Sequence, residues 1–207
     1  MSISNNGENW EENKIIINEV PLDIETFDPE PVVLDNGKYR LYFYEHPKSD
    51  PGDGVGLTGN FTIGSAISDD GINFVYEPGA RNTYDTIMDP DVIKMGNVWR
   101  MYNSQLGRIA SFVSYDNGMS FQFEKALKLN GFITSVIAVP EGYRIYYATG
   151  MREKKPEIHS AFSSDGINWK EEGKVEINNI KTGEKGILSL AAIKTSDKYW
   201  MFYGSQE

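Results

Sequence analysis

Two pairs of acidic side chains in this sequence have a spacing that could support acid–base chemistry. Asp28 and Glu30 are separated by one residue, and Asp89 and Asp91 repeat that spacing further along the chain. Both pairs open strand-like segments, in which residues i and i+2 point to the same face. Carboxyl groups held together repel each other, so that one keeps its proton while another ionises, as cleavage of a glycosidic bond requires. The structural alternative is that these side chains accept hydrogen bonds from backbone amides and lock the first turn of each strand.

Several aromatic and polar side chains could form the walls of a sugar-binding site around these acids. The candidates are Tyr44, His46, Trp99, Tyr102, Arg108 and His159. Aromatic rings can stack on the apolar faces of sugars, and two histidines on different strands could instead complete a metal site with carboxylates. In the alternative interpretation the tyrosines pack between sheets, and each histidine is packed or solvated. We predict no metal site at these residues.

A short turn motif recurs four times along the chain and indicates the elements that position these residues. Its copies are Ser4–Trp10, Ser68–Phe74, Ser114–Phe121 and Ser163–Trp169. In each copy an acidic or amide side chain can cap the turn, a glycine can adopt a positive φ, and the final aromatic ring can anchor the next strand. We therefore predict that Asp70, Asp116 and Asp165 are structural turn residues and not catalysts.

The closing aromatic residues of this motif are spaced at a nearly constant interval. Phe74 and Phe121 are 47 residues apart, and Phe121 and Trp169 are 48 apart. Counting from Trp169 through the C-terminus to Trp10 again gives 48. Each repeat also contains an apolar segment followed by a Tyr-rich one, and helical periodicity is nearly absent. The pattern predicts an all-β, single-domain β-propeller of about four blades, each with four antiparallel strands.

The boundaries of the predicted blades follow from these segments. They cover residues 28–80, 89–129, 134–178 and, for the fourth blade, 188–207 together with 1–18. The fourth blade would close the ring, because strands from both chain ends would share it and remove a free sheet edge. Two alternatives stay open, a β-sandwich with coincidental turns and a fragment of a five-bladed ring. The long loop 46–60 would be a lid or a variable surface loop.

Two predicted inner strands begin with similar segments, Asp28-Pro29-Glu30-Pro31 and Asp89-Pro90-Asp91-Val92. Together with the repeated turns, these segments resemble glycoside hydrolase families 43 and 32 and their propeller relatives. The resemblance implies a five-bladed propeller that acts on arabinan, xylan or fructan. It also implies that Asp28 is a general base or a nucleophile, and that Asp89 orients the acid or stabilises the transition state. The turns are more distantly similar to the Asp-boxes of sialidases.

In the same families a glutamate acts from the third blade. The resemblance puts this position near Thr134 and Ser135, neither of which is a carboxylic acid. Glu30, Asp91 or a loop residue such as Glu45 could supply the acid instead. The sequence also contains one repeat fewer than those families. We therefore consider a glycoside hydrolase-like propeller and, as its alternative, a propeller that binds sugar or has a structural role without catalysis.

The bulk composition excludes several classes of function. The formal net charge is −10 and the pI about 4.8, without the basic stripe that nucleic-acid binding needs. The absence of cysteine excludes disulfides and thiolate chemistry. Carbohydrate is the expected partner, with no nucleic acid and no membrane. No cofactor is expected, although a calcium ion in the central channel is an alternative. Without a signal-like segment, a cytoplasmic location is the default expectation.

Overall fold

The computed structural model of this chain contains only β-strands in the part of the sequence that it describes, which confirms the all-β prediction. The described residues are 2–4, 6–12, 14–48, 61–82, 84, 88–105, 107–150, 157–177, 186–195 and 198–206. No helix in these ranges is long and apolar enough to cross a membrane. The chain divides into two compact units, Met1–Ile87 and Met88–Glu207, each with its own sheets.

The first unit is built around a five-stranded sheet. Its strands are, in spatial order, β3 (Ile16–Asn18), β7 (Asn73–Asn82), β6 (Thr62–Ser68), β5 (Tyr39–Pro47) and β4 (Ile24–Val33). Strands β4 to β7 are antiparallel neighbours and form the first predicted blade, called blade one. Near the start of the chain, β1 (Ser2–Ile3) and β2 (Glu11–Glu12) pair with each other.

Strand β3 belongs to blade one, so the prediction that all of residues 1–18 complete a fourth blade is wrong for this segment. It pairs in parallel with β7, the strand at the opposite side of the blade from β4. The side chains of Ile15 and Ile17 pack against a core cluster that includes Leu41 and Phe74. Removal of these apolar side chains from water is the physical reason that the segment joins this sheet.

The second unit contains two four-stranded sheets and a hairpin. Blade two consists of β8 (Met88–Met95), β9 (Val98–Gln105), β10 (Arg108–Ser114) and β11 (Gln122–Asn130). Blade three consists of β12 (Phe132–Val139), β13 (Gly142–Thr149), β14 (Glu157–Ser163) and β15 (Lys170–Lys174). The hairpin consists of β16 (Gly186–Lys194) and β17 (Tyr199–Gln206). Strand β12 packs against both β8 and β16. That the hairpin shares a fourth blade with residues from the start of the chain stays a prediction.

The repeated turn is held by the same kind of hydrogen bonds in each copy. In blade three the Ser163 hydroxyl donates to Asp165 Oδ1 over 2.8 Å, and the same oxygen accepts from the backbone amide of Ile167, also over 2.8 Å. Equivalent bonds occur in Ser68–Phe74, Ser114–Phe121 and Ser4–Trp10. These bonds confirm the structural role predicted for the three acidic turn residues.

An arginine on the second strand of each of the three blades forms a network with the two outer strands. In blade one, Arg40 Nε and Nη2 donate to the two carboxylate oxygens of Glu77 over 2.7 and 3.0 Å, and the Ser65 hydroxyl donates over 2.7 Å. The corresponding sets are Arg100, Glu124 and Ser111 in blade two and Arg144, Glu172 and Ser160 in blade three. Such bidentate, charge-assisted bonds join three strands side by side. The sequence analysis missed these networks, although an arginine follows the first aromatic residue of each strand.

Candidate functional site

The inner strand of blade one contains an irregularity at its Asp-Pro segment. In β4, Phe27 is paired with Tyr44, and the next pair is Glu30 with Tyr42. Asp28 lies in the bulge between these pairs, and its φ is 49°. Asp is one of the few residues other than Gly that adopt this left-handed conformation with little strain, and the proline after it has no N–H to give to the ladder. The local sequence therefore favours a bulge at this point.

Blade two repeats this bulge at the start of its inner strand. In β8, Met88 is paired with Ser104, and the next pair is Asp91 with Tyr102. Asp89 lies between them with a φ of 51°. Bulges of this kind re-aim a side chain and occur often beside active sites. Asp28 and Asp89 therefore occupy corresponding positions on the inner strands of two blades.

The third blade also has this bulge, but without an acid. Between the pairs Phe132–Ala148 and Thr134–Tyr147 lies Ile133, whose φ is 49°. The counterpart of the two aspartates in this bulge is Ile133, next to the Thr134 and Ser135 position that the resemblance suggested. A β-branched residue is strained in this conformation. The Ser104 hydroxyl accepts a hydrogen bond from the Ile133 amide over 3.0 Å, which helps to hold the bulge.

The two acidic pairs at these bulges differ in their exposure to solvent. Asp28 is exposed and Glu30 is half-buried, whereas Asp89 is half-buried and Asp91 is only 5% exposed. An extra residue in the strand interrupts the alternation of faces on which the sequence analysis relied. Each pair lies in a different unit of the chain, so convergence of all four acids at one mouth stays a prediction.

Asp91 is buried, and its neighbours include Thr134 and Val136 of blade three. Burial raises the pKa of its carboxyl to about 7, although the Thr134 hydroxyl and the Val136 amide favour the charged form. Asp91 Oδ2 and Thr134 Oγ1 are both buried. Within the described part of the chain, neither atom has a partner that meets the usual distance and angle limits of a hydrogen bond. A carboxyl in this position keeps its proton to a higher pH than an exposed aspartate does. Its burial counts against the predicted role of Asp91 as an acid that contacts substrate.

The two predicted binding residues of blade one, Tyr44 and His46, lie together on β5 with an aromatic partner on β4. The ring centroids of Phe27 and Tyr44 are 5.1 Å apart with an interplanar angle of 19°, and those of Phe27 and His46 are 5.3 Å apart at 5°. The buried ring of Phe61 meets Tyr44 and His46 edge-on at 5.8 and 5.4 Å. We call these four residues the aromatic cluster. Phe27, the member of the cluster on β4, directly precedes Asp28 in the sequence.

The sequence analysis did not select Phe27 or Phe61. A signal was present, because Phe27 directly precedes the Asp-Pro segment and Tyr44 and His46 alternate on the neighbouring strand. His46 is buried, with 8% of its surface exposed, and its Nδ1 lies 3.0 Å from the carbonyl oxygen of Pro47. It therefore supports the cluster more than it offers a contact to a ligand.

Glu45, considered above as a loop acid, lies on β5 and is buried. It accepts hydrogen bonds from the Tyr76 hydroxyl over 3.2 Å and from the Thr62 hydroxyl over 3.3 Å. Burial raises the pKa of Glu45, and these two bonds partly oppose the increase. The carboxylate lies so close to Gly64 that a Cβ there would meet Glu45 Oε2 at 2.5 Å. Glu45 is therefore part of the packing of blade one.

Two of the binding residues predicted in blade two are core residues. Tyr102 is fully buried, and its hydroxyl donates to the carbonyl oxygen of Gly166 over 2.6 Å. Burial raises the pKa of this phenol far above its ordinary value. Trp99 is 4% exposed, and its indole N–H donates to Asn117 Oδ1 over 3.1 Å. The prediction that these rings form sugar-binding walls is wrong, because each ring is enclosed by the protein.

The last two predicted binding residues lie on outer strands of the second unit. Arg108, at the start of β10, is exposed. His159, on β14, has its ring nitrogens 3.3 Å from Glu157 Oε2 and 3.3 Å from Glu171 Oε1. Lys174 also donates to Glu157, over 3.0 Å. A role for Arg108 and His159 in sugar binding stays a prediction.

Acidic and histidine side chains do not form a group of three that could hold a metal within the described ranges. A calcium ion in a central channel stays a prediction. Most of the loop 46–60, proposed above as a lid, lies outside the described residues.

Comparison with known proteins identifies the fold. No protein-family model matches this sequence, and no curated protein is similar to it. One similar structure is described under the GH130 family of mannoside phosphorylases, which contains glycoside hydrolases that target β-1,2 mannosidic linkages in Candida mannan. It superposes with a TM-score of 0.67 at 18% identity, over 87% of this chain and 60% of that one. A thermostable family-43 glycoside hydrolase gives 0.67 at 17% identity, over 91% and 66%. An α-L-arabinofuranosidase from Clostridium thermocellum gives 0.64 at 16% identity, over 86% and 60%.

This chain therefore has the fold of the β-propeller glycoside hydrolases, which confirms the predicted fold class and resemblance. It spans between 60% and 66% of the length of these three structures. At such low sequence identity the likeness concerns the fold, and the activities named above are those of the other proteins.

Proposed function

We propose that this protein is a carbohydrate-active propeller that hydrolyses glycosidic bonds with paired carboxylates. The observation that carries the proposal is the bulge shared by β4 and β8, which places Asp28 and Asp89 at corresponding positions with nearly identical φ angles of 49° and 51°. A backbone conformation that is rare outside glycine is maintained at both acids. The fold shared with glycoside hydrolases supports the same conclusion.

The exposure of the carboxyl groups indicates how the roles divide. Asp28 is exposed and can act as the general base that activates water or as the nucleophile. Asp89, half-buried, is suited to orienting the acid or to stabilising the positive charge of an oxocarbenium-like transition state. Glu30 is then the better candidate for the general acid, because it is half-buried and reaches the surface, whereas Asp91 does not.

The direct test is release of reducing sugar from arabinans, xylans, fructans and mannans by the wild-type protein and by Asp28→Asn. Loss of release in Asp28→Asn with an unchanged circular dichroism spectrum is the expected result. Asp69→Asn is a matched control, because Asp69 is an exposed turn carboxylate whose ion-pair partner is Lys38. Equal release by wild type and Asp28→Asn would remove Asp28 from the mechanism.

A second candidate function is sugar binding without hydrolysis. The observation that favours it is Ile133, which occupies the bulge of blade three where a third carboxyl would correspond to Asp28 and Asp89. This function predicts saturable binding of glycans with no product. Calorimetric titration with the oligosaccharides of the same four polymers, followed by chromatography of the mixture, distinguishes the two functions.

A further inference from the structure

We infer that the aromatic ring of Phe27 is the surface on which one sugar ring of the ligand stacks. Tyr44 and His46 pack against Phe27 and hold its ring in position. The inference rests on the proposed function for its class of ligand, a carbohydrate. It assigns a binding role to a residue that neither the sequence motifs nor the resemblance had indicated.

The Phe27 side chain is partly exposed at the surface of its unit. This side chain is 38% exposed, although two nearly parallel rings lie about 5 Å from it, at 5.1 and 5.3 Å. A ligand that covers the ring would remove this apolar surface from water. The apolar C–H face of a pyranose or furanose ring is complementary to such a surface.

The Phe27 ring packs against two rings of the neighbouring strand. Tyr44 is the direct cross-strand partner of Phe27, and His46 contacts the ring diagonally. Phe61, 4% exposed, contacts both partners edge-on. A side chain packed in this way loses less conformational entropy when it binds than a free one does, so more of its contact energy appears as affinity.

Phe27 is followed directly in the sequence by the bulge residue Asp28, and both side chains are exposed. A sugar combines an apolar ring face with hydroxyl groups that donate hydrogen bonds to carboxylates, and this combination matches the two neighbours.

The corresponding positions in the other two blades lack this arrangement. Met88 in blade two is paired with Ser104, and Phe132 in blade three is paired with Ala148. The cross-strand aromatic partner therefore occurs only in blade one among these three pairs. A purely structural requirement of the repeat would have produced the same partner at each bulge.

The test compares Phe27→Ala with Phe27→Tyr, which keeps an aromatic ring. Affinity is measured by isothermal titration of arabino-, xylo-, fructo- and β-1,2-manno-oligosaccharides in an Asp28→Asn background, which prevents turnover. We expect about tenfold weaker binding for Phe27→Ala and a change within about threefold for Phe27→Tyr. Phe123→Ala, which removes an exposed phenylalanine from blade two, is the matched control.

The outcomes separate this inference from the proposed hydrolysis. Hydrolysis by wild type with a raised KM and little change in kcat in Phe27→Ala supports both. Binding lost in Phe27→Ala, without hydrolysis by any variant, supports stacking on Phe27 and rejects the hydrolase. Hydrolysis or binding that Phe27→Ala leaves unchanged rejects stacking on Phe27 alone. Absence of binding to every oligosaccharide by the wild-type protein also rejects it.

Discussion

The inner strands of blades one and two contain the same Asp-Pro bulge, but the acidic side chains around it differ in their exposure to solvent. Both contain an Asp-Pro bulge with almost the same φ at the aspartate. In β4 the bulge acid Asp28 is exposed, and Glu30 is half-buried. In β8 the corresponding Asp89 is half-buried, and Asp91 is enclosed. Corresponding local sequences thus specify corresponding backbones, but they do not specify which carboxyl group reaches solvent.

The difference comes from what packs on each strand. Strand β12 of blade three packs against β8 and brings Thr134 and Val136 to Asp91. On blade one, β5 and the segment before β6 contribute the aromatic rings of Tyr44 and Phe61 beside the start of β4. The Asp-Pro segment of β8 therefore buries a carboxyl whose pKa is raised, whereas that of β4 leaves the Asp28 side chain exposed.

The largest expected effect distinguishes Asp28 from Asp91 in catalysis. Asp28→Asn is expected to reduce kcat by about 10³-fold, because an amide acts neither as a base nor as a nucleophile. Asp91→Asn is expected to retain kcat within about tenfold, because this side chain does not reach the surface. Initial rates on the substrate found by the polysaccharide panel measure both. Equal losses would show that the two strand starts do not differ as described.

The next effect concerns stability and pH. Burial raises the pKa of Asp91 to about 7, whereas an unfolded aspartate titrates near about 3.9. Between these values the folded protein binds more protons than the unfolded chain, so the stability contributed by this group is lost as the pH rises through this window and is constant above it. Asp91→Asn should therefore gain stability relative to wild type between about pH 5 and about pH 8, by up to roughly 3 kcal/mol.

Urea unfolding at the two pH values measures this gain. The matched control is again Asp69→Asn, whose carboxyl is exposed. Parallel pH dependences for wild type and Asp91→Asn would mean that Asp91 titrates normally, and the contrast with blade one would then disappear.

A smaller effect on stability is expected for Tyr102 and Tyr44, which are the cross-strand partners of Asp91 and Phe27. Tyr102→Phe removes the hydrogen bond to the carbonyl oxygen of Gly166 in a buried site, and should cost about 1–2 kcal/mol of unfolding free energy. Tyr44→Phe keeps the ring beside Phe27 and lies at a half-buried position, so it should cost less than about 0.5 kcal/mol. Thermal unfolding of both variants provides the comparison, and an equal loss would contradict the assignment of Tyr102 to the core.

The smallest effect should be the same in both blades. Pro29→Ala and Pro90→Ala each increase the freedom of the unfolded chain and should each cost about 0.5–1 kcal/mol. Because the bulges correspond, the two values should agree within about 0.5 kcal/mol. Denaturant unfolding measures them, and a large disagreement would show that the bulges are supported in different ways.

Much of the fold follows from local chemistry. The Ser-Asp-Gly turns form their hydrogen bonds within seven or eight residues, so the motif alone predicted the hairpins and the repeat. The sequence analysis also selected Asp28 and Asp89, because the Asp-Pro segment identifies both inner strands. It assigned residues 16–18 to the wrong sheet, since the docking of Ile17 depends on side chains, such as Phe74, that are distant in sequence.

By itself, the sequence determined the turns and the strand repeat, because these depend on interactions between near neighbours. Only the tertiary structure decided that Asp91 is buried with a raised pKa, that Tyr102 is a core residue and that Phe27 belongs to an aromatic cluster. The physical reason is that solvation, pKa and ring contacts depend on the strands that pack from elsewhere in the chain, which local spacing does not encode.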